Sequence, residues 1–368
     1  MSIETTMTRA WQRQAAWLWL LLPVSWLYGF ITMLRRQAYK IGLFASYRPP
    51  IPVMVIGNIT VGGSGKTPLI IELVTHLQKK GIKVGVISRG YGGDSSQMPA
   101  LVHADSLPSI VGDEPSLIVN MTGAAMAVCP NREQAITTLL KAYPDLQLII
   151  ADDGLQHYAL QRDIEWIVVD ASRGFGNQQL LPTGFLREPI SRLQGANVVY
   201  HEKADMTATD DNNQAQSTRL TMHLQAEKLQ PLWSSTAELD SSIVTEAKMP
   251  VPNSRVHAVS GIGYPQRFFD TLASLGFDVV GRPYPDHYDF SLDELLQYTE
   301  QPIIVTSKDA VKIRALLIDA TSRQPLSEEY QELANRLWVL PVTAVLSDSC
   351  YGSLQQQLKA LNIDINNG

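Results

Sequence analysis

The stretch that decides the fold is residues 53–67, VMVIGNITVGGSGKT. It begins with an apolar run rich in β-branched residues, which predicts a short buried strand. A glycine-rich loop follows, and after it comes a helical pattern in which Pro68 suits the first turn and Gly81 suits the stop. A strand, a glycine-rich loop and a helix in this order predict a phosphate-binding loop, because that motif requires this context.

The residue types of this loop explain how it would bind a nucleotide. Glycines let backbone N–H groups close around phosphate oxygens, and the helix N-terminus adds its positive end. Lys66 can bridge the outer phosphates, and Thr67 can offer its hydroxyl to Mg²⁺. Thr60 stands where the usual pattern has glycine, so the loop is closer to a GGxGK[ST] variant, and a chance glycine-rich turn is the alternative. The predicted nucleotide contacts are Gly62, Gly63, Ser64, Gly65, Lys66 and Thr67.

An acidic pair follows a second apolar run. Residues 146–151 predict a strand, and the strand ends in Asp152 and Asp153. Sheets of the α/β class place their ligands at the carboxyl ends of parallel strands. The two carboxylates therefore predict a Mg²⁺ site, with a polar turn that merely ends the strand as the alternative.

A further acidic site is Gly112-Asp113-Glu114-Pro115. Asp113 is a candidate base that would take the proton from an attacking hydroxyl. The same residues are also a helix-start signal, with Asp as the cap and Pro in the first turn. The spacing alone does not decide between these two readings.

Strand-like and helical patterns alternate along the chain, as in the helical pattern 66–80 and the strand-like run 164–170, which predicts a parallel sheet covered by helices. Ser291 is predicted to begin a capped helix, with Glu294 completing a capping box. We predict a P-loop NTPase-like α/β domain, a second, smaller α/β domain and an N-terminal membrane-associated helix. Gly261-Ile262-Gly263 is interpreted as a plain turn. The predicted divisions are 1–48 for the helical arm, 49–203 for the P-loop domain, 204–225 for a linker, and 226–368 for the C-terminal domain that closes over the active site.

The N-terminal arm has the features of a membrane-binding segment. Residues 15–34 contain no charge, and four of the seven tryptophans lie within the first 26 residues. Twenty helical residues span roughly 30 Å, about one hydrocarbon core, and Trp favours the headgroup boundary. The arm either crosses the bilayer or lies in its interface, and a buried core helix is the alternative.

The charge distribution separates the arm from the body of the chain. The first 48 residues carry +5 and the rest carry −11, for a total of −6. A basic arm predicts contact with anionic lipid on the cytoplasmic face of the membrane. An acidic body without a basic stripe argues against nucleic acid as a partner. Two cysteines without a CxxC pair argue against a disulfide framework or a structural zinc site.

Seven ordered segments resemble the tetraacyldisaccharide 4'-kinase family of the lipid A pathway in Gram-negative inner membranes. The resemblance implies transfer of the ATP γ-phosphate, with Mg²⁺, to the 4'-hydroxyl of a tetraacylated glucosamine disaccharide 1-phosphate. It places that glycolipid, and the membrane surface, among the partners, and no obligate protein partner is evident. The segments are 57–58 with 62–68, 88–92, 112–115, 152–157, 181–189, 284–288 and 306–310.

The resemblance also implies roles for single residues. Asp113 and His287 would act as a pair that activates the sugar hydroxyl. Arg187 would bind near ATP and Glu188 near the metal. Phosphate and Mg²⁺ roles are implied for Lys66, Thr67, Asp152 and Asp153, and contacts to nucleotide or lipid headgroup for Arg89, Tyr91 and Arg132.

Two rival functions would use the same loop. A membrane-targeted P-loop ATPase would act as a switch and would leave the lipid unphosphorylated. A GTPase would need a guanine-reading motif such as NKxD, and Thr306-Ser307-Lys308-Asp309 is only a loose echo of it. Labelled ATP and chromatography of the lipid would separate the kinase from both rivals.

Overall fold

Two β-sheets organise the chain in the computed structural model, which describes residues 3–203, 219–233, 249–323 and 325–364. In chain order the strands are β1 (Val53–Gly57), β2 (Val84–Ser88), β3 (Ala100–Val102), β4 (Ala125–Val128), β5 (Leu148–Asp152), β6 (Ile164–Asp170), β7 (Asn197–Glu202), β8 (Leu220–Ala226), β9 (Gln230–Pro231), β10 (Arg255–Ser260), β11 (Asp278–Pro283), β12 (Ile303–Thr306), β13 (Leu337–Leu340) and β14 (Val342–Leu346).

Helices cover both sheets. They are α1 (Ile3–Gln12), α2 (Leu22–Lys40), α3 (Lys66–Lys79), α4 (Pro108–Val111), α5 (Asp113–Thr122), α6 (Arg132–Ala142), α7 (Pro265–Ser274), α8 (Leu292–Leu296), α9 (Ser307–Arg323), α10 (Glu328–Arg336) and α11 (Asp348–Ala360). Short 3₁₀ segments are Ala16–Leu21, Ser95–Gln97 and Ile190–Leu193.

The larger sheet has the described strands in the order β14-β8-β7-β6-β1-β5-β2-β4-β3. Its two edge strands, β14 and β3, run antiparallel to their neighbours, and the strands between them are parallel. β1 lies between β5 and β6, so the phosphate loop leaves from the middle of the sheet. The smaller sheet has the order β11-β10-β12-β13-β9, with β9 antiparallel to β13. The predicted fold class is confirmed.

Alternating side chains of β1 build two cores, one on each face of the larger sheet. Met54 and Ile56 pack with the apolar face of α3, and Val53 and Val55 pack with α6. All residues of β1 are buried. Burying one such side chain contributes about 1.5–3 kcal/mol, so the strand that carries the loop is held firmly from both faces.

Local signals located most elements to within a few residues. The predicted strand 164–170 and helix 66–80 are observed as β6 and α3. The capping box predicted at Ser291 and Glu294 is present at the start of α8. These signals depend on neighbouring residues only, which is why the sequence resolves them.

The strand pairing differs from the predicted division of the chain in two places. All but the last residue of β8 lies in the predicted linker 204–225, yet β8 pairs with β7 in the larger sheet. β14 and α11 lie within the predicted C-terminal domain, yet β14 pairs with β8 and α11 packs on the core of the larger sheet. Pairing between strands far apart in sequence leaves no local signal. The remaining linker residues, 204–218, lie outside the described residues.

The N-terminal arm lies along the body with an apolar face exposed. The segment Ala16–Lys40 is long and apolar enough to cross a membrane, and only 11% of its most apolar window is buried, which contradicts a buried core helix. Ser25 attaches α2 to the body, since its hydroxyl donates to Thr183 Oγ1 at 2.8 Å and accepts from Thr183 N at 3.0 Å. The exposed apolar residues of the arm include Trp17, Trp19, Leu20, Val24, Trp26, Leu27, Phe30, Ile31, Met33 and Leu34.

Candidate active site

The phosphate loop lies between β1 and α3, as the sequence predicts. Gly62 and Gly65 have φ angles of 91° and 94°, values that L side chains rarely adopt. Gly65 precedes the first turn of α3, where free backbone N–H groups and the helix dipole favour an anion. The backbone conformation therefore requires glycine at positions 62 and 65.

Lys66 is placed at the first turn of α3 between two oxygen groups. Its ammonium donates to Asn58 Oδ1 at 3.2 Å and lies 3.3 Å from Asp153 Oδ1. Asn58 is buried at the end of β1, and sequence reasoning did not identify it as a site residue. An ammonium that rests on a carboxylate can exchange that partner for a phosphate oxygen of similar charge.

Asp152 ends β5 and is 1% exposed. Its Oδ2 accepts a hydrogen bond from Ser88 Oγ at 3.2 Å, whereas Oδ1 has no hydrogen-bond partner among the described residues. Burial, together with the negative charges of Glu114 and Asp153, raises the pKa of Asp152 to about 7. A buried carboxylate oxygen without a partner fits a hydrated divalent cation, because such a group needs a donor or a metal ion.

Asp153 follows in a left-handed backbone conformation, with φ of 47°. Its carboxylate contacts Arg187 Nη1 at 3.0 Å and Lys66 Nζ at 3.3 Å. Burial raises the pKa of Asp153, but the two cations outweigh burial and hold this pKa well below its usual range. Asp153 therefore stays ionised and brings both predicted phosphate-binding cations to one place.

Glu188 occupies a different setting from its neighbour Arg187. It is buried, accepts from Gln156 Nε2 at 2.8 Å and pairs with Arg192 Nε at 3.3 Å. Gln156 also donates to the carbonyl oxygen of Asn58 at 3.1 Å, so Glu188 is tied to the end of β1. These contacts hold Glu188 close to the end of β1, where the phosphate loop begins.

The described residues contain no group of three or more His, Cys, Asp or Glu side chains that could hold a metal ion alone. A Mg²⁺ ion in a nucleotide site keeps waters and phosphate oxygens and takes few protein ligands. The predicted set of Thr67, Asp152, Asp153 and Glu188 therefore stays a prediction. Asp152 fits it best, because one of its oxygens is free.

Asp113 starts α5 and is 4% exposed. His287, in the second domain, places Nδ1 3.1 Å from Asp113 Oδ1 and 3.2 Å from Oδ2. Burial opposes ionisation of Asp113, but the hydrogen bond from His287 and the charge of Lys308 lower its pKa to about 2. The structure thus brings together the two residues that the family resemblance paired across 174 positions.

Two lysines of α9, Lys308 and Lys312, lie beside the pair of Asp113 and His287, which together form the acceptor corner of the site. Sequence reasoning identified neither lysine. Lys308 Nζ lies 3.0 Å from Glu114 Oε1 and 3.2 Å from His287 Nε2, and Lys312 Nζ lies 3.5 Å from Asp113 Oδ2. An ammonium can only donate, so neutral His287 must accept at Nε2 and carry its proton on Nδ1. The available signal was weak: two lysines four apart at the start of a helix that follows a buried strand.

A turn of the second domain lies close to the phosphate loop. A Cβ built at Gly263 would lie 3.1 Å from Gly63 N and 2.9 Å from Asp286 Oδ2. Only glycine allows the turn to approach the phosphate loop so closely. Gly261-Ile262-Gly263 is indeed a turn after β10. The carbonyl oxygen of Gly261 accepts from His287 N at 3.1 Å, so the turn is packed against the segment that carries Asp286 and His287.

The resemblance also implies contacts for Tyr91, Arg132 and Arg89. The ring of Tyr91 packs edge-on against that of His287, with centroids 4.6 Å apart. Arg132 is buried and donates to the carbonyl oxygen of Asp152 at 2.8 Å, so it supports the end of β5. Arg89 is exposed.

Comparison with known proteins identifies the family. A model described as tetraacyldisaccharide-1-P 4'-kinase matches residues 17–359. The chain belongs to this family. A tetraacyldisaccharide 4'-kinase of Psychrobacter arcticus is 74% identical over 99% of this chain and 97% of its own length. One from Tolumonas auensis is 41% identical over 95% of this chain and 96% of its own length.

A solved structure shares the fold. The "apo" form of LpxK from Aquifex aeolicus in complex with ATP superposes with a TM-score of 0.66 and 23% identity, over 94% of this chain and 99% of that one. The resemblance inferred from seven segments is thereby confirmed, and so is the enzyme class, a kinase. The family assignment favours the kinase over the ATPase switch.

Proposed function

We propose that this kinase transfers the γ-phosphate of ATP to the 4'-hydroxyl of a tetraacylated glucosamine disaccharide 1-phosphate, with Lys66 on the donor side and Asp113 and His287 on the acceptor side. Family membership supports the reaction. The observation that carries the assignment of residues is the 3.1 Å contact between His287 Nδ1 and Asp113 Oδ1, beside the phosphate loop.

The donor side binds the triphosphate. Backbone N–H groups of residues 62–67 surround the phosphate oxygens, and Lys66 leaves Asp153 to stabilise charge on the transferring group. Arg187, 3.0 Å from Asp153, supplies a second cation. Mg²⁺, when bound through Thr67 and Asp152, would neutralise charge on the outer phosphates.

The acceptor side orients the sugar hydroxyl. Asp113 accepts the hydroxyl proton, and His287 holds the carboxylate in position through Nδ1–H. A pKa of about 2 makes Asp113 a weak base at rest. Phosphoryl transfer passes through a loose transition state, so alignment of the hydroxyl matters more than base strength.

The arm brings the enzyme to its lipid substrate. The exposed apolar face of α2 and the +5 charge of residues 1–48 support binding at the cytoplasmic face of the inner membrane, where ATP is present. The acyl chains would remain in the bilayer while the sugar headgroup enters the site. No nucleic acid and no obligate protein partner are needed for this reaction.

The test uses purified enzyme, γ-labelled ATP and the disaccharide 1-phosphate in mixed micelles. Thin-layer chromatography should show label on the lipid, and Asp113→Asn should remove nearly all of it while binding of ATP persists. Release of labelled phosphate without labelled lipid would support the ATPase switch instead. Wild-type turnover by Asp113→Asn would overturn the role of Asp113.

A further inference from the structure

The back of the phosphate loop is held by side chains that the mechanism does not use. Loop N–H groups point to the phosphates, so the loop carbonyls must find partners on the opposite side. Arg173 Nη1 donates to the carbonyl oxygen of Val61, and His201 Nδ1 lies 3.1 Å from that of Ser64. These two partners fix the peptide planes on which phosphate binding depends.

Arg267, in α7 of the second domain, contacts both His201 and Asp170, and Asp170 in turn holds the backbone of Arg173. Its Nη2 donates to Asp170 Oδ2 at 2.6 Å, and its Nη1 lies 3.0 Å from His201 Nδ1. Asp170 Oδ1 also accepts from the backbone N of Ser172 and of Arg173, at 3.0 and 3.2 Å. One carboxylate therefore holds Arg267 and the backbone of Arg173 at once.

The setting of this cluster makes its contacts strong. Asp170 and His201 are 5% and 2% exposed, and the guanidinium is partly buried. Charged hydrogen bonds shielded from water are stronger than exposed ones. Burial and the adjacent Arg267 lower the pKa of His201 to about 4, so the imidazole is neutral at physiological pH.

His201 Nδ1 has two competing partners. A neutral imidazole nitrogen either donates or accepts, so Nδ1 can donate to the Ser64 carbonyl or accept from Arg267, but not both. The position of Arg267 therefore selects which bond is made. Because Arg267 moves with the second domain, a displacement of that domain would reach the phosphate loop through His201 Nδ1 as well as through Asp170.

We propose that Arg267 is a positioning residue that sets the shape of the phosphate loop through Asp170 and His201, and so links the position of the second domain to ATP affinity. The inference rests on the proposed binding of ATP at this loop. It adds a residue that contacts no substrate and acts on the donor side from the opposite domain.

The test compares Arg267→Met with Arg255→Met. Arg255 lies in the same domain, is exposed and, among the residues that the structure describes, makes only a distant 3.8 Å pair with Asp278. Losing a charged hydrogen bond corresponds to about a tenfold change, so Arg267→Met should raise KM for ATP about tenfold. KM for the lipid should stay near wild type, Tm should fall because the buried Asp170 loses its ion-pair partner, and Arg255→Met should change none of the three.

Other outcomes overturn the proposal. An unchanged KM for ATP would remove Arg267 from the donor side, and equal rises in the KM values for ATP and for the lipid would mean that Arg267 only holds the domains together. Arg267→Lys should recover part of the ATP affinity, since one ammonium cannot fork to Asp170 and His201. Full recovery would contradict the two-partner arrangement.

A double-mutant cycle with Asp170→Asn isolates the coupling. The effects of Asp170→Asn and Arg267→Met on KM for ATP should be strongly non-additive, because each removes the same contact. Additive effects would contradict the proposal. Lys66→Ala, measured in parallel, tests the proposed nucleotide site separately from the role of Arg267. If Lys66→Ala leaves ATP binding intact, the proposed nucleotide site itself is wrong.

Discussion

The donor and acceptor sides of the site are built in opposite ways. Lys66 and its loop belong to one continuous stretch between β1 and α3, and the sheet holds that stretch from both faces. Asp113 and His287 lie 174 positions apart and meet only because the second domain packs against the first. A stretch of local sequence can define a binding site, whereas the acceptor site exists only in the assembled pair of domains.

This difference suggests what each side contributes. The donor loop takes its glycines and Lys66 from one stretch of the first domain, and we propose that the second domain adjusts its nucleotide affinity through Arg267. The acceptor corner becomes complete when α5 meets α9, which brings Asp113 to Lys308 and Lys312. We expect transfer to wait for domain packing, which would protect ATP from hydrolysis by water.

The largest expected effect is on the donor side. Lys66→Ala should lower turnover by about a thousandfold, because it removes a preorganised charge from the transferring phosphoryl group. Lys79→Ala, at the exposed end of the same helix, is the matched control and should behave as wild type. Undiminished phosphorylation of the lipid by Lys66→Ala would contradict the donor assignment.

The acceptor pair should give the next effect. Asp113→Asn should lower kcat by about a hundredfold or more, and His287→Gln by a similar or smaller factor, with KM for ATP unchanged. The double variant should be no slower than Asp113→Asn alone, since the two residues act as one unit. Asp105→Asn, at an exposed carboxylate, is the control. Multiplicative losses in the double variant would show that the two residues act separately.

A smaller effect concerns stability at acid pH. The pKa of Asp113 falls from an ordinary 3.8 to about 2 in the folded state, so its stabilising contribution is present above pH 4 and lost as pH falls through 2. Linkage gives this contribution a size of about 2 kcal/mol. Urea unfolding of wild type and Asp113→Asn should show the difference between them shrinking over that window. If the difference in unfolding free energy stayed constant with pH, the ionised carboxylate of Asp113 would add no stability.

The smallest expected effect concerns the N-terminal arm and tests how firmly α2 is attached to the body of the protein. Ser25→Ala leaves the buried Thr183 N without its acceptor, which should cost about 1 kcal/mol of unfolding free energy. Thr32→Ala is the control, because that hydroxyl bonds only to carbonyls of its own helix. Equal Tm values for both variants would show that α2 is not docked through Ser25.

Sequence reasoning succeeded where the chemistry is local. The loop at 57–67, the acids Asp152 and Asp153 and the cap at Ser291 all follow from adjacent residues. His287 was found only through family resemblance, because a histidine between Asp286 and Tyr288 is otherwise typical of a surface loop. Its φ of 57° and its partner Asp113 are set by tertiary contacts.

Some site residues gave no sequence signal at all. Asp170, His201 and Arg267 come from two strands and a helix of different domains, so no spacing relates them. Lys308 and Lys312 look like ordinary charges at the start of a helix until α5 is packed against α9. The division of the chain was limited for the same reason, since β14 has its partner β8 more than a hundred residues away.

The return of β14 to the larger sheet has a mechanical consequence. The smaller domain is joined to the larger one by two crossings that run side by side, where Glu227 N donates to the carbonyl oxygen of Pro341 at 2.9 Å. With two adjacent crossings, we expect the smaller domain to rotate about one axis more readily than it slides along the larger one. Helix α11 follows the second crossing and packs on the larger sheet, so it would stay with the larger domain during such a rotation.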